Sequence, residues 1–251
     1  MSQTILFLSV PLLLLICICN ITPEKHLHLP SYVVPCSKSA EDFDECSRQH
    51  GQEALSFITK GDKNYGIPLL SPLVLPSLKL DIAGLKLTFN DLHIYGLDTL
   101  ELKKLKFDLN MNELTVDSYT DKVDLIGKYD MDGQLLVLQI TGKGNMNVTI
   151  TGLDIHYRVN YKLEEKDGDV YIVIPNKADV DYTMTRVYFE FDDLFGGNKQ
   201  LSDATLKALN DDWDQFMEVL KPVIIETIVS IVESIAGGVT SNVPLKYLFL
   251  D

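Results

Sequence analysis

Five histidines, four cysteines and several acidic pairs are the side chains of this sequence with the most chemistry to offer. Their spacing speaks against most of it. No HExxH is present to hold zinc beside a general base, and there is no GxSxG, P-loop or CxxC. His26 and His28 lie near the start and His50 follows a pair of cysteines. His93 and His156 fall in the polar phases of alternating segments, where a solvated imidazole is the ordinary outcome. Asp130-Met131-Asp132-Gly133 resembles a fragment of a calcium loop, but the third acidic ligand and the closing Glu are missing, so it reads as a turn. Asp192-Asp193 and the acidic run at 41–45 read as solvated surface. No catalytic residue, metal-ligand set or cofactor is assigned.

Residues 1–22 carry no charged side chain, and the apolar run within 5–18 has the length of a secretory h-region. It is short for a membrane span, which needs about 20 apolar residues, and Pro11 interrupts it. We expect a signal peptide over 1–22, cleaved near 19–22, and a single mature domain over 23–251. An uncleaved signal anchor is the competing reading. Cleavage would remove Cys17 and Cys19, and the remaining pair, Cys36 and Cys46, then reads as one disulfide. A metal site is the rival, but two cysteines without a nearby His pair cannot fill a tetrahedral shell. Asn147-Val148-Thr149 is a glycosylation sequon whose Asn alternates out of phase with Met146, Val148 and Ile150. Asn20-Ile21-Thr22 is a second sequon, at the expected cleavage site.

The elements that would position any site are set by periodicity. The chain has 251 residues, 46% hydrophobic and 23% charged, with a formal net charge of −14. That apolar content excludes a wholly disordered chain, and the acidic balance argues against nucleic acid and against anionic lipid. Residues 41–60 read as one or two short helices stopped at Gly61. Pro68, Pro72 and Pro76 then prevent a helix. From Leu78 to about 192 the period is two, which predicts an antiparallel meander of long strands with one dry face. The pattern includes Leu105, Phe107, Leu109 and Met111, and the odd positions from Leu153 to Leu163. Asp132-Gly133, Gly142-Lys143-Gly144 and Asp167-Gly168 read as turns or bulges. After Ser202, a candidate N-cap, an apolar stripe at three- and four-residue spacing predicts one long helix, bent at Pro222 and closed by Gly237-Gly238. Past Pro222 its polar face fills with Ile225, Val229 and Val232. A helix apolar nearly all round is buried on nearly all sides, so the sheet is expected to curl around it. Charges within the stretch argue against a second membrane span, so no membrane insertion is expected once the leader is gone.

Six motifs in order carry a resemblance: Cys36 with Cys46, IPLLSPLVLP at 67–76, DGQLLVLQITGKG at 132–144, LFGGNKQL at 194–201, LNDDWDQFMEVLKP at 209–222 and VPLKYLFLD at 243–251. Together they resemble the takeout and juvenile hormone-binding protein family of secreted arthropod carriers, over essentially the whole mature chain. One mature cysteine pair looks more like the takeout branch. The resemblance implies an α+β fold: a long C-terminal α-helix wrapped by a strongly curved antiparallel β-sheet, a super-roll with an apolar tunnel. It also implies a small hydrophobic ligand, terpenoid or lipid-like, as the partner.

The candidate lining follows from face and phase. From the helix it is Phe216, Leu220, Ile224, Ile228, Ile231 and Ile235. From the strands it is Leu87, Phe89, Phe107 and Leu109, with Leu138, Ile140, Tyr157 and Val159. Tyr157 and Tyr161 are the candidate hydroxyls for a ligand head group. Alternation alone does not separate a hollow interior from a filled core. A carrier and a secreted interaction module with a plugged tunnel, meeting an unidentified extracellular receptor or acceptor, therefore both stand at this point. An esterase-like enzyme has no motif behind it.

Overall fold

The computed structural model of the chain describes residues 26–251 apart from 83 and 136. The expected leader, its cleavage region and the Asn20 sequon lie outside the described residues. Helix α1 (Phe43–Ile58) is one continuous helix, tied to the preceding segment by the Cys36–Cys46 disulfide, with the two Cα atoms 6.1 Å apart. Nine strands follow among the described residues: β1 (Leu73–Ile82), β2 (Leu85–Tyr95), β3 (Glu101–Asp108), β4 (Glu113–Leu135), β5 (Leu138–Asn160), β6 (Lys162–Lys166), β7 (Asp169–Val173), β8 (Asp179–Thr183) and β9 (Arg186–Phe191). Seven form one antiparallel sheet in the order β1-β2-β4-β5-β8; β3 adds to β4 and β9 to β5. The β6–β7 hairpin stands apart, and Asp167 and Gly168 make its turn with positive φ at both positions.

The arrangement is not a simple meander. The two 23-residue strands β4 and β5 form a spine, and each takes different neighbours along its two halves. The first half of β4 pairs with β3 and the second with β2; the first half of β5 pairs with β9 and the second with β8. Between the pairs Thr120↔Leu153 and Lys122↔Thr151 both strands change the face they turn inward. Val116, Ser118 and Thr120 give way to Val123 and Leu125 on β4, while Met146, Val148 and Ile150 give way to Leu153, Ile155 and Tyr157 on β5. A one-residue phase change swaps every side chain's face, so the sheet folds here along a crease. Gly152 sits at the joint with φ +58, and a Cβ there would lie 2.2 Å from Thr185 Oγ1. Gly96, where β2 passes to β3, lies so close to the spine that a Cβ would be 2.2 Å from the Lys122 carbonyl oxygen.

Several expected turns are close approaches instead. Asp132-Gly133 lies inside β4, and a Cβ on Gly133 would be 2.2 Å from the Gly84 carbonyl oxygen. Gly142 and Gly144 lie inside β5, leaving room for Leu194 and Asp192. Conversely, β3 stops before Leu109 and Met111. The Asp108 carboxylate accepts the backbone N–H groups of Asn110 and Met111 at 3.1 and 2.9 Å, which closes a turn.

The C-terminal helix differs from the expectation in three ways. It is two helices, α2 (Lys199–Asp211) and α3 (Trp213–Val232), broken at Asp212 rather than at Pro222. Pro222 stays inside α3 on an exposed face, together with exposed Glu218, so the carbonyl it leaves unpaired faces water. Asn198, not Ser202, caps α2: its side chain accepts the Leu201 N–H, while Ser202 donates to the Leu194 carbonyl. Gly237-Gly238 does not end α3 either. The chain continues through a π turn (Glu233–Gly237) into the short helix α4 (Gly238–Thr240), with both glycines in right-handed helical conformation. Gly238 is there for space, because a Cβ would meet the Tyr65 carbonyl oxygen at 2.5 Å. By length and composition Trp213–Thr240 is apolar enough to cross a membrane. In the fold its apolar stripe is turned to the interior.

Helix α2 also finishes the sheet. β9 pairs with β5 alone, which leaves its other edge open. The Asn210 side chain accepts the Phe189 N–H and donates to the Phe189 carbonyl, both at 2.9 Å. One amide thus serves both backbone groups of an edge residue.

Candidate functional site

Between the sheet and α3 lies a cavity of about 470 Å³. Its wall on β4 runs from Val116 to Met131, which at about 3.3 Å per residue corresponds to about 50 Å of strand. Among the described residues no Asp, Glu, Lys or Arg side chain lines it. The hollow explains why α3 is not buried as its composition suggests. Of its residues only Phe216, Met217 and Val229 are buried, while Leu220, Ile224, Ile228 and Ile231 stay half-exposed because they face the cavity.

The structure brings eleven of the fourteen expected lining residues together on this cavity: Leu87, Phe89, Phe107, Ile140 and Tyr157 from strands, and all six from the helical segment. Leu109 does not line it, because it sits in the turn that Asp108 closes after β3. Val159 does not line it either. It is buried opposite Leu114, where the wall is filled by the protein's own side chains. The side chain of Leu138 lies outside the described residues.

The cavity wall includes groups that the sequence reading passed over. Helix α1 supplies Ser47, His50, Gly51 and Ala54, and the segment before it supplies Val33, Val34, Pro35 and Cys36. Gly51 lets the helix lie flush on β3, since a Cβ would be 2.6 Å from Leu105 Cδ2. Gln52 fixes the same contact by donating to the Leu100 carbonyl at 3.0 Å and accepting the Leu102 N–H at 2.6 Å. His50 Nδ1 lies 3.1 Å from the Val34 carbonyl oxygen and 3.3 Å from Cys36 Sγ. The Met146, Val148 and Ile150 row was visible as alternation, but its continuation into the odd positions after Gly152 was the signal of the crease.

Polar atoms on the wall are few and unequal. Thr120 Oγ1 is paired with Thr99 Oγ1 at 2.9 Å, and Thr227 donates to the Val223 carbonyl at 2.8 Å. Tyr157 and Thr240 are different. Tyr157 is 1% exposed and Thr240 5%, both line the cavity, and neither hydroxyl has a hydrogen-bond partner among the described residues. Burial, and then the charge of Glu233, push the Tyr157 phenol up to about 12. Tyr161, the other candidate, does not line the cavity; its hydroxyl donates to the Asp108 carbonyl at 3.3 Å. Asn147 lies on the outward face of β5, its amide nitrogen donating to Glu190 at 3.2 Å.

The model of the family described as Haemolymph juvenile hormone binding protein (JHBP) matches residues 12–250. The chain is 28% identical over 233 residues to the circadian clock-controlled protein daywake of Drosophila melanogaster, covering 86% of this chain and 87% of that protein. The daywake protein of Drosophila yakuba is 27% identical over 231 residues, with the same coverage. The crystal structure of Epiphyas postvittana Takeout 1 superposes with a TM-score of 0.75 at 26% identity, covering 85% of this chain and 97% of that one.

Proposed function

The chain belongs to the haemolymph juvenile hormone binding protein family, and from that premise we propose that it is a secreted carrier that solubilises a small hydrophobic ligand, terpenoid or lipid-like, inside its cavity. The observation that carries this reading is the lining itself: a cavity of about 470 Å³ without a charged side chain among the described residues. A cavity of that size falls within the range of small-molecule sites. The mechanism is partition. An apolar cargo leaves water for a dry wall, and burying about 300 Å² of it contributes roughly 7 kcal/mol before the costs of association. Eleven of the proposed contacts are the cavity-facing residues above.

Export through the 1–22 leader, with the mature domain over 23–251, belongs to the same proposal, as does glycan attachment at Asn147. The disulfide at the start of the mature domain fits an oxidising compartment. Native mass spectrometry of the protein purified from its own tissue tests the function. A bound lipid-sized mass, together with uptake of N-phenyl-1-naphthylamine by the delipidated protein, is the expected result. Repeated bare protein that takes up no probe overturns it.

A further inference from the structure

The outer face of the sheet carries an apolar patch that the cavity does not explain. Strand pairing sets two adjacent rungs across it. One runs Val74–His93–Ile126–Asn147–Glu190 over β1, β2, β4, β5 and β9, and the next runs Tyr95–Asp124–Thr149–Tyr188. Val74 and Tyr95 are exposed, and Ile126 and Tyr188 are 45 and 49% exposed. The flanking rungs are polar: Asn90, Lys128 and Asn145 on one side, Lys122, Thr151 and Arg186 on the other. Asn147, the sequon residue, stands within the patch. Ile126 lies directly opposite it on β4 and Tyr188 diagonal to it on β9, which at ordinary sheet spacing is about 5 and about 7 Å between Cβ atoms. The Arg186 guanidinium lies over the Tyr188 ring, 5.4 Å from its centroid, and steadies it. Asn147 Nδ2 donates to Glu190, while its Oδ1 is buried without a hydrogen-bond partner among the described residues.

Resting on glycan attachment at Asn147, we propose that this patch is the seat of that glycan, whose first sugars lie back on the sheet and cover Ile126 and Tyr188. The C–H face of an N-acetylglucosamine ring is apolar and packs on an aliphatic side chain or an aromatic ring, while its hydroxyls stay in water. In the attachment step Asn147 Nδ2 gives up one proton and bonds to the anomeric carbon of a lipid-linked oligosaccharide. The bond from that carbon to the pyrophosphate oxygen breaks, and the leaving pyrophosphate keeps the electron pair and takes the proton. One N–H remains on Nδ2 for Glu190. The acetamido N–H or a hydroxyl of the first sugar is a donor for the unpaired Oδ1. Because that oxygen is buried in the paired sheet, transfer precedes the pairing of β5 with β4 and β9. The seated glycan also closes to a second copy of the chain a face that is otherwise apolar and open.

The test compares urea unfolding of the glycosylated secreted protein with that of the same sequence made while glycan transfer is blocked. The intact mass reads attachment first. The glycan is expected to lower the unfolding constant about fivefold, which corresponds to about 40 Å² of apolar surface taken from water. Trimming an oligomannose form to one N-acetylglucosamine keeps most of that gain. In Ile126→Thr and in Tyr188→Thr the ratio of the two unfolding constants falls towards one. The lost Arg186 contact is common to both forms of Tyr188→Thr and cancels in the ratio. Circular dichroism establishes that each variant is folded, and either variant alone carries the comparison. A ratio that is the same in the wild type and in the folded variants overturns the seat and leaves attachment standing, as does a wild-type ratio of one. A secreted protein whose mass shows Asn147 bare overturns attachment and seat together. None of these outcomes touches the carrier reading, which uptake of N-phenyl-1-naphthylamine measures separately.

Discussion

The two halves of the sheet on either side of the crease enclose one cavity, yet they differ in chemistry. The half built on β2, β9 and the adjoining stretches of the spine lines it with Leu85, Leu87, Met131, Ile140, Met146, Val148, Phe189 and Phe191. The half built on β3, β8 and α1 contributes Ser47, His50, Ser118, Thr120 and Tyr157, with Thr240 from α4. One half is therefore lined by hydrocarbon alone, while the other also carries polar side chains, some of them already paired within the protein.

The harshest way to break the comparison is to put a charge in the shared wall. Ile228→Lys leaves an ammonium facing an apolar cavity without a partner, and uptake of N-phenyl-1-naphthylamine is expected to fall below about one hundredth of wild type. A folded variant with unchanged affinity would remove Ile228 from the wall. Next is the joint. Gly152→Val forces a β-branched residue to φ +58 against Thr185, and urea denaturation should show a loss of about 2–4 kcal/mol. If instead the loss is under about 0.5 kcal/mol, the crease is not a fixed corner.

A gentler probe sharpens the division. Val148→Phe adds volume at the hydrocarbon end, so long-chain competitors should weaken by about tenfold while short ones weaken less, with stability changed by about 1 kcal/mol or less. Equal weakening of both would mean that length is not read there. The smallest effect concerns alkali. Tyr157 and Tyr129 are both pushed up to about 12, Tyr129 by burial and then by the charges of Asp193 and Asp192. The folded state thus holds protons that the unfolded chain releases near pH 10. Their contribution to stability is complete below about pH 10 and is lost as the pH rises through about 12. Tyr157→Phe should shrink that decline in a urea titration from pH 9 to 12; an identical decline would mean that Tyr157 is not held neutral by its surroundings.

Much of the architecture was legible because burial is periodic. Alternation located most of the strands, and the three-four stripe from Phe216 to Ile235 put all six helical positions on one wall. What escaped was whatever depends on a partner far along the chain. Gly133, Gly142 and Gly238 look like turn or stop signals locally, yet each stands where another backbone segment or a packed side chain presses close. The break at Asp212 and the cap at Asn198 turn on single side-chain choices that several nearby residues could equally have made. Leu109 kept the strand's rhythm after the strand had ended, because Asp108 competes for the backbone N–H groups with which pairing would continue. His50 and Thr240 have no pattern of their own; only the tertiary arrangement brings them to the interior.

The Asn210 amide on Phe189 has a consequence for how the protein behaves in a crowded fluid. An uncovered ribbon margin is a template on which a second molecule can zip, the usual first step towards insoluble aggregates. By imitating a single rung of a missing neighbour, one carboxamide removes the docking point at the centre of that margin. The chain can then stay at high concentration without adhering to its own kind.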